Sequence, residues 1–562
     1  MANILFLNLT ESILDEVLSW NPTHATQLGW RKYDDQLRDL SREAYVHEAS
    51  RLATFVKKLQ EFRDDELTED ERIDRDLAIH LFRLRLFEIQ VVKIHERMAI
   101  AADDLGNAMF FLFSREDQPL EKRLDAIISR LEKVPKYLER SKSSLVSPCR
   151  LWNEIALETG ATLGAFLDVI DSHSIQMLGR TPRTERLSAA VKGAKAALTK
   201  YNRWLEQEVL PKACVDTHMS AEAFEEYMRL KGFGITPEEA LRIGEAHLVR
   251  TRRRMEELAG RMVRSGSVDD AVNLMKSNRP SDYDEVLACY KTDIKKARDF
   301  LLARDLVTIP DGERLMVIET PNFMRHSAPF AAQFEPAKFT GDRTGLFLVT
   351  PHDDLDTIKD HCYALITNVA VHEGYPGHHL QGICGNTHPS FVRSLSASVD
   401  FGEGWALYCE ELMLQHGFND TTEGRMAQLS DLMLRVVRVI ADVKLSRGEM
   451  GPDEVAAMIV KETGMQEQGA RSEARYYTYC PTYNLSYFIG KLALLQLLDD
   501  VKRAMGPRFS LKLFHDTLFY AGCLPISFMR REMAMRLRDE YGIELGEPME
   551  RLADYALRDS VH

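Results

Sequence analysis

The sequence predicts a mainly α-helical fold with one small β element. Apolar residues recur at three- and four-residue spacing along most of the 562 residues, as Leu124, Ile127 and Leu131 illustrate, and this spacing places them on one face of a helix. Between about residues 310 and 351 the pattern changes to short apolar runs bounded by Gly and Pro, which is typical of strands. Helices are therefore expected to dominate, with the β element confined to one region.

We expect a single large domain over residues 1–562, built from three consecutive parts. No repeat or low-complexity linker separates these parts, and 45% of the residues are hydrophobic, which is enough for a substantial core. The parts are a helical scaffold lobe over residues 1–310, a small β element over 311–351, and a helical lobe over 352–562.

Charge and composition exclude some classes of protein. The chain has 72 Lys and Arg against 86 Asp and Glu, a net charge of -14, which argues against a nucleic-acid surface.

The first residues lack the basic region of a signal peptide and are soon followed by Glu11 and Asp15, so we expect a cytoplasmic protein with no membrane span. The 8 cysteines form no C-x-x-C pair, which favours reduced structural thiols. A homodimer is the commonest closed assembly, and it is the oligomer that we would expect.

Two long helices and two strands are predicted in the middle of the chain. Thr236 before Pro237 is a strong helix start, so a helix should run to about residue 260. A second helix is expected over about residues 282–303. The apolar runs at residues 315–320 and 345–350 are predicted to be strands, and such a strand could bind an extended substrate at its edge, although a sheet that only packs on the helices explains the runs as well.

The next helix leads into the most informative stretch. Leu355, Leu365 and Val369 belong to an apolar stripe that brings His372 and Glu373 to the end of this helix. In the zinc motif H-E-x-x-H, two His lie one helical turn apart and the Glu faces the metal-bound water. The sequence begins this motif but then departs from it.

The fifth position of the motif is Pro376 instead of His, and the next candidates are His378 and His379. In an unbroken helix these two lie roughly 9 to 10.5 Å beyond His372, too far to share one zinc. Residues 374–377 contain helix-breaking Gly and Pro, so we expect an interruption that returns the second His towards the first. The alternative is an ordinary helix end followed by a loop that contains His.

A third candidate ligand is Glu403, which lies 25 residues after His378 on what should be the first turn of the following helix. Two His and one Glu form a ligand set that leaves one zinc position open for water. The simpler alternative for Glu403 alone is favourable charge at a helix N-terminus. Glu410, two turns later, could orient a ligand His, or could be ordinary surface charge.

The chain resembles the bacterial domain-of-unknown-function family 885. Residues 372–381 match its H-E-x-x-P-G-H-H-L-Q pattern, residues 403–408 match its E-G-W-A-L-Y block, and residues 21–29 match its N-P-x-x-A-T-x-x-G start. The family also has a later R-Y…P-G-Q-A-x-S-Y-x-x-G block. Residues 475–490 match it only in part, because Thr482, Tyr483 and Asn484 replace its G-Q-A segment.

More distantly, the pattern is similar to that of helical zinc peptidases with H-E-x-G-H and a downstream Glu, such as thermostable carboxypeptidases and angiotensin-converting enzyme. This resemblance implies a mostly helical, zincin-like fold with a deep cleft and a small sheet beside the metal helix. The Gly377-His378 pair reproduces the G-H of that motif, so we expect His378 to be the ligand. His379 is then expected to face the substrate, to support a ligand, or to pack.

We therefore predict a zinc-dependent metallopeptidase in which His372, His378 and Glu403 hold Zn²⁺ and Glu373 takes a proton from its bound water. Three further roles concern the substrate, which would be a peptide or small amide. Tyr487 is the first candidate donor to the developing oxyanion and Tyr483 the second, while Arg475 could bind a C-terminal carboxylate and make the enzyme a carboxypeptidase, or could serve in a helix salt bridge.

Two alternatives remain open at this point. The same metal chemistry serves a zinc hydrolase of non-peptide amides or esters. The chain could also be a non-catalytic helical scaffold with a structural metal, for which His379 or a Cys should supply a fourth ligand.

Overall fold

The computed structural model describes residues 2–325, 331–351, 357–558 and 561. Helices make up 72% of the chain and a small three-stranded sheet accompanies them, so the predicted mainly α fold is confirmed. Two compact units are distinguished. The first comprises Met1–Thr217, Thr320–Pro329 and Ala337–Arg343, and the second comprises His218–Glu319, Phe330–Pro336 and Thr344–His562. The predicted three-part division of the chain and its deep cleft stay predictions.

The first unit is built of helices that bury apolar faces such as that of Leu124, Ile127 and Leu131, which are fully buried as their spacing predicts. Its α-helices are α1 (Ile4–Trp20), α2 (Pro22–Leu28), α3 (Arg42–Gln60), α4 (Glu69–Phe87), α5 (Ile94–Arg97), α6 (Ala101–Ser114), α7 (Leu120–Ser141), α8 (Arg150–Leu178) and α9 (Pro182–Trp204).

The conspicuous stretch at residues 21–29 has a structural role in this unit. The Asn21 side chain accepts a hydrogen bond from the His24 backbone N–H and thereby caps α2, and Gly29 ends the helix with a φ of 80° that favours glycine. Arg130, which is fully buried on α7, donates to the Thr26 hydroxyl at 2.7 Å. These contacts fix α2 within the first unit.

The second unit contains the sheet and the remaining helices. Its α-helices are α10 (Ala221–Lys231), α11 (Pro237–Met262), α12 (Val268–Ser277), α13 (Tyr283–Arg304), α14 (Tyr363–Glu373), α15 (His378–Gly385), α16 (Val399–Gln415), α17 (Thr422–Ser446), α18 (Pro452–Thr463), α19 (Glu467–Tyr477), α20 (Tyr483–Met505), α21 (Leu511–Ala521), α22 (Ile526–Tyr541) and α23 (Leu552–Ala556). Both long helices predicted in the middle of the chain, α11 and α13, are confirmed within two residues at each end.

The sheet has the order β1-β3-β2, with β1 (Arg314–Glu319), β2 (Ala331–Phe334) and β3 (Thr344–Val349). β1 is parallel to β3 and β2 is antiparallel to it. The sequence predicted β1 and β3 but missed β2, which is only four residues long and lacks a β-branched residue. The central strand β3 is buried from Leu346 to Val349, as expected for a strand with neighbours on both sides.

Two predicted helix starts need correction. The helix that ends at Glu373 begins only at Tyr363, after a short 3-10 turn over Thr357–His361, and Leu355 of the predicted stripe lies outside the described residues. The helix that carries Glu403 begins four residues earlier than expected, at Val399, so Glu403 lies on its second turn. The reason is that Val399 and Phe401 already contribute to the helix, and Phe401 is fully buried.

Two further properties concern the whole chain. None of the helices in the described ranges is long and apolar enough to cross a membrane. The 8 cysteines are free thiols, as the sequence predicts.

Candidate metal centre

The predicted interruption of the metal helix is present. α14 ends at Glu373, residues 374–377 leave the helical path, and α15 begins at His378. The Tyr375–Pro376 peptide bond is cis. Gly377 is required by close packing, because a Cβ atom at this position would lie 1.8 Å from the carbonyl oxygen of His372. This close approach brings the start of α15 back onto the end of α14.

The interruption is fixed by α16. The buried indole of Trp405 donates a hydrogen bond to the Pro376 carbonyl oxygen at 2.8 Å. α16 in turn crosses α20 at very short range, since a Cβ on Gly404 would lie 2.5 Å from the carbonyl carbon of Gly490. The E-G-W sequence therefore combines a candidate ligand, a contact point between helices and an anchor for the loop.

Three candidate ligand side chains meet at this point. The Oε2 atom of Glu403 lies 3.2 Å from Nε2 of His378 and 3.5 Å from Nε2 of His372. The candidate ligand atoms of the three residues lie within 4.8 Å of one another. Ligands about 2.0–2.1 Å from a tetrahedral Zn²⁺ are about 3.3 Å apart, so the two measured separations fit one ion. The structure thus brings together the three residues that the sequence selected.

Two of the three candidate ligands have a partner that turns the required atom towards the centre. Oε1 of Glu410 lies 2.8 Å from Nδ1 of His372, so this nitrogen carries the proton and leaves Nε2 to bind a metal. The Tyr483 hydroxyl donates to Oε1 of Glu403 at 3.0 Å, which leaves Oε2 for the metal. Glu410 therefore lies where it can orient the candidate ligand His372, which is one of the two roles that the sequence suggested for it. The Tyr483 hydroxyl is hydrogen-bonded to Glu403.

The charges of the centre are strongly coupled. Burial alone would lower the pKa of His372, but hydrogen bonds to Glu403 and Glu410 raise it to about 10. Burial acts in the same direction on His378, where the charge of Glu403 outweighs it and raises the pKa. The two His in turn hold the pKa of Glu403 well below its usual range in spite of burial. The site thus favours positive charge beside Glu403, which is the charge that a metal cation supplies.

The residues fit a catalytic type of metal site. Two imidazoles and one carboxylate are the donor set of zinc hydrolases that keep one position open. In the part of the chain that the structure describes, the cluster has these three members, and no Cys or further His joins it. The His378 side chain is 19% exposed and that of Glu403 is 14% exposed, so small molecules can approach from this side.

Glu373 follows the ligand His372 directly and is half-buried. Its negative charge raises the pKa of both His372 and His378, which places its carboxylate near the three ligands. No hydrogen bond or ion pair joins this carboxylate to another residue in the described ranges, so it is available to a water molecule. This position suits the predicted general base.

Tyr487, the first candidate oxyanion donor, is buried on α20 one turn after Tyr483, and the two rings are 5.8 Å apart. Burial and the negative charge of Glu403 raise the pKa of Tyr487, so its hydroxyl keeps its proton and can donate it in a hydrogen bond. The predicted donation of a hydrogen bond to the substrate oxyanion by Tyr487, or by Tyr483, stays a prediction.

His379 points away from the three ligands. Its fully buried ring bonds through Nε2 to Oε2 of Glu313 at 2.9 Å, and a Cβ on Gly345 would lie 2.5 Å from its Nδ1. The small sheet therefore packs directly beside the metal helix. Burial of the ring does not favour the predicted substrate contact, and it supports His378 as the ligand.

Glu313 is a residue that sequence reasoning missed. It receives hydrogen bonds from the Tyr375 hydroxyl within the interruption, from His379, and from Arg298 on α13 at 2.7 Å. Although burial raises the pKa of this carboxyl, the three donors lower it to about 2. The sequence shows only an acid before an apolar run, and that pattern carries no signal for a partner 66 residues away.

Arg475 lies half-buried on α19, in the same helix as Glu473 and Tyr477. Its backbone carbonyl accepts a hydrogen bond from the Thr478 hydroxyl at 2.7 Å. Its predicted contact with a substrate carboxylate stays a prediction.

Comparison with known proteins identifies the family of the chain. The sequence model of the family described as "Bacterial protein of unknown function (DUF885)" matches residues 22–533. Two solved structures share the fold. A protein of unknown function from Shewanella oneidensis has a TM-score of 0.76 at 19% identity, covering 94% of this chain and 99% of that one. A protein from Colwellia psychrerythraea has a TM-score of 0.83 at 17% identity, covering 95% and 99%.

A carboxypeptidase from Pyrococcus furiosus aligns over 98% of this chain and 97% of its own length, with 12% identity. Its TM-score of 0.40 is too low to support an argument about fold or function. No curated protein matches the chain.

Proposed function

We propose that this chain, which belongs to the DUF885 family of bacterial proteins, is a zinc-dependent peptidase. One observation carries the proposal: His372, His378 and Glu403 present ligand atoms within 4.8 Å of one another beside the half-buried carboxylate of Glu373. A ligand set of three with a neighbouring general base is the arrangement of catalytic zinc sites, whereas structural zinc sites have four protein ligands.

The chemistry divides between the metal and the protein. Zn²⁺ held by His372, His378 and Glu403 would supply a water whose pKa is lowered to about 7 and would polarise a substrate carbonyl. Glu373 would accept a proton from the attacking water and return it to the leaving amine, so that a peptide and water would give a carboxylate and an amine. The protonated Tyr487 hydroxyl donates a hydrogen bond to the negative oxygen that develops on the carbonyl.

Support for a catalytic over a structural metal comes from His379. A structural site would need a fourth protein ligand, and His379 was the first candidate for it. Its Nε2 atom is instead bonded to Glu313 at 2.9 Å, on a ring with no exposed surface. The open position is therefore left for water and substrate.

The compartment is a further part of the proposal. The sequence favours the cytoplasm, but the two structures with the same fold are each named a "putative lipoprotein", which favours attachment to the bacterial envelope. Fractionation of cells that express the native gene, followed by antibody detection, decides between them. Recovery in the soluble cytoplasmic fraction alone would exclude the envelope.

Metal analysis combined with a cleavage assay tests the function. We expect purified protein to bind about one equivalent of Zn²⁺ and to cleave a mixture of short peptides, with cleavage abolished by a chelator and restored by the metal. Glu373→Gln should keep the metal and lose cleavage by at least about 10³-fold, because it keeps the shape and removes the base. Equal cleavage by the wild type and this variant would reject the peptidase proposal. Cleavage of amides or esters in place of peptides would favour the non-peptide hydrolase.

A further inference from the structure

A polar stripe runs along α17, a helix that is otherwise buried on nearly every side. Asp431, Arg435 and Arg438 follow one another at helical spacing, and their side chains are 18%, 14% and 11% exposed. Residues between them, such as Val436 and Val437, have no exposed surface. The side chains of the two arginines are therefore partly accessible on a helix that is otherwise largely buried.

Both cations lie against the same aromatic ring. The guanidinium carbon of Arg438 is 4.7 Å from the centre of the Tyr487 ring and that of Arg435 is 5.7 Å from it. Tyr487 neighbours Tyr483, whose hydroxyl bonds the ligand Glu403. The two cations are thus connected to the candidate ligand Glu403 through two neighbouring tyrosines.

The two guanidinium groups differ in how well they are bonded. Arg438 donates to Oε2 of Glu473 at 2.6 Å and to the Tyr477 hydroxyl at 2.7 Å. These short contacts involve both ends of its guanidinium and tie it firmly to α19. Arg438 is therefore held in place by protein groups, and the carboxylate of Glu473 balances its charge.

Arg435 is bonded poorly by comparison. Its contact with Asp431 is 3.4 Å long, and Asp431 also accepts a hydrogen bond from Asn368 at 2.6 Å. The Nε atom of Arg435 is buried and has no hydrogen-bond partner among the residues that the structure describes. A hydrogen bond of 3.4 Å is weak, and the Arg435 side chain is 14% exposed, so its guanidinium can bond a ligand more readily than that of Arg438.

We propose that Arg435 binds the C-terminal carboxylate of a peptide substrate. This inference rests on the proposed peptidase function and names the substrate end that it recognises. A planar guanidinium can bond both oxygens of a carboxylate. Because the anion site lies beside the ligand shell, the bond that is hydrolysed is close to the C-terminus, and the products are a shortened peptide and a free amino acid or very short peptide.

This assignment differs from the one that the sequence suggested. Sequence reasoning chose Arg475 for the carboxylate, whereas the position of Arg435 beside Tyr487 favours Arg435. The two assignments make opposite predictions for the corresponding variants. An acidic side chain of the substrate offers the same carboxylate chemistry, and the test must separate it from the C-terminus.

The test compares tripeptides of mixed sequence that carry a free C-terminal carboxylate with the same mixture carrying a C-terminal amide. Metal-loaded wild type should favour the free acids by at least about tenfold in kcat/KM. Arg435→Gln should lower kcat/KM for the free acids by about 10- to 100-fold, mainly through KM, and leave the amides unchanged. For the free acids, Arg435→Lys should have a kcat/KM between those of the wild type and Arg435→Gln, because it keeps the charge but loses the planar fork.

Arg425→Gln is the matched control, since Arg425 lies on the same helix but is 58% exposed and pairs with Asp420. It should keep the preference of the wild type. Equal cleavage of acids and amides by the wild type would overturn the inference, as would a loss in Arg435→Gln that is the same for both. A preference that is removed by Arg475→Gln alone, or that follows internal Asp and Glu in place of the C-terminus, would overturn it as well.

Binding separates this inference from the proposed function. Zinc-loaded Glu373→Gln protein is titrated calorimetrically with both tripeptide mixtures, with and without Arg435→Gln. Tighter binding of the free acids that requires Arg435 supports the anion site even if the wild type cleaves no peptide. Absence of any such difference overturns the anion site even if the wild type is an active peptidase.

Discussion

Nδ1 of His372 and Oε1 of Glu410 lie 2.8 Å apart, between the last turn of α14 and the middle of α16. Both side chains are buried, with 6% and 1% of their surface exposed. The contact fixes the tautomer of His372 and points its other nitrogen at Glu403. The contact therefore orients the candidate ligand His372 from a second helix, through a residue 38 positions later in the chain.

Replacing Glu410 by Gln should weaken metal binding by about 10- to 100-fold, because the amide is a weaker acceptor and no longer makes the imidazole more basic. The measurement is competition with a fluorescent zinc chelator. Glu423→Gln, an exposed change at the start of α17, is the control and should bind metal like the wild type. Unchanged affinity in Glu410→Gln would show that His372 needs no orienting partner.

The sequence could select the three candidate ligands, which the structure brings together, because each belongs to a short local pattern. His372 and Glu373 end an apolar helix, Gly377 precedes His378, and Glu403 opens a G-W block. Such patterns report what a residue does to its own segment. They also correctly implied an interruption between the two His, because Pro and Gly cannot continue a helix.

The supporting residues could not be found in this way. Glu313 reaches His379 across 66 residues, and Arg435 reaches Tyr487 across a helix crossing. These contacts depend on how α13, α17 and α20 pack, which a periodic pattern does not specify. The short strand β2 was missed for a related reason, since its pairing with β3 and not its composition makes it a strand.

The choice between the adjacent His378 and His379 can be tested by metal content. His378→Ala should remove most of the bound metal and keep the fold, because its side chain is partly exposed. His379→Ala should keep one metal per chain but lower the free energy of unfolding by about 2–4 kcal/mol, because it removes one of the three donors to the buried Glu313 carboxylate and creates a cavity. Atomic absorption and urea unfolding of both variants provide the measurement, and the reverse pattern would exchange the two roles.

Gly377 should tolerate no side chain. A Cβ atom would lie 1.8 Å from the His372 carbonyl oxygen, so Gly377→Ala must push α15 away from α14. We expect a loss of about 3 kcal/mol or more in the free energy of unfolding together with loss of metal.

Gly260→Ala is the matched control for this change. Gly260 lies near the end of α11, and a Cβ there would meet nothing within 4 Å. That variant should be as stable as the wild type or more stable by up to about 1 kcal/mol. Thermal unfolding and zinc content of both variants provide the measurement. Equal stability and equal zinc content in Gly377→Ala and Gly260→Ala would contradict the prediction.

The two tyrosines of α20 should have separable roles. Tyr483→Phe removes the hydrogen bond to Glu403 and should weaken zinc binding by about tenfold. Tyr487→Phe should leave zinc binding unchanged and lower kcat by about 10²–10³-fold, as expected for the loss of an oxyanion donor. Steady-state kinetics at saturating zinc, with chelator competition, distinguish the two effects. A fall in zinc affinity in Tyr487→Phe would assign that hydroxyl to the metal shell.

Stability at acid pH should report on Glu313. Its folded-state pKa of about 2 lies below its ordinary value of 4.5, so its ionised form stabilises the fold above pH 4.5, and this contribution is lost as the pH falls from 4.5 towards 2. The shift corresponds to about 3 kcal/mol at neutral pH. Glu313→Gln removes the titrating group. Urea unfolding should therefore give the wild type a larger free energy of unfolding than the variant at pH 7, and this difference should shrink steadily below pH 4.5. A difference that stays constant down to pH 3 would mean that the contribution of Glu313 comes from its shape and hydrogen bonds and not from its charge.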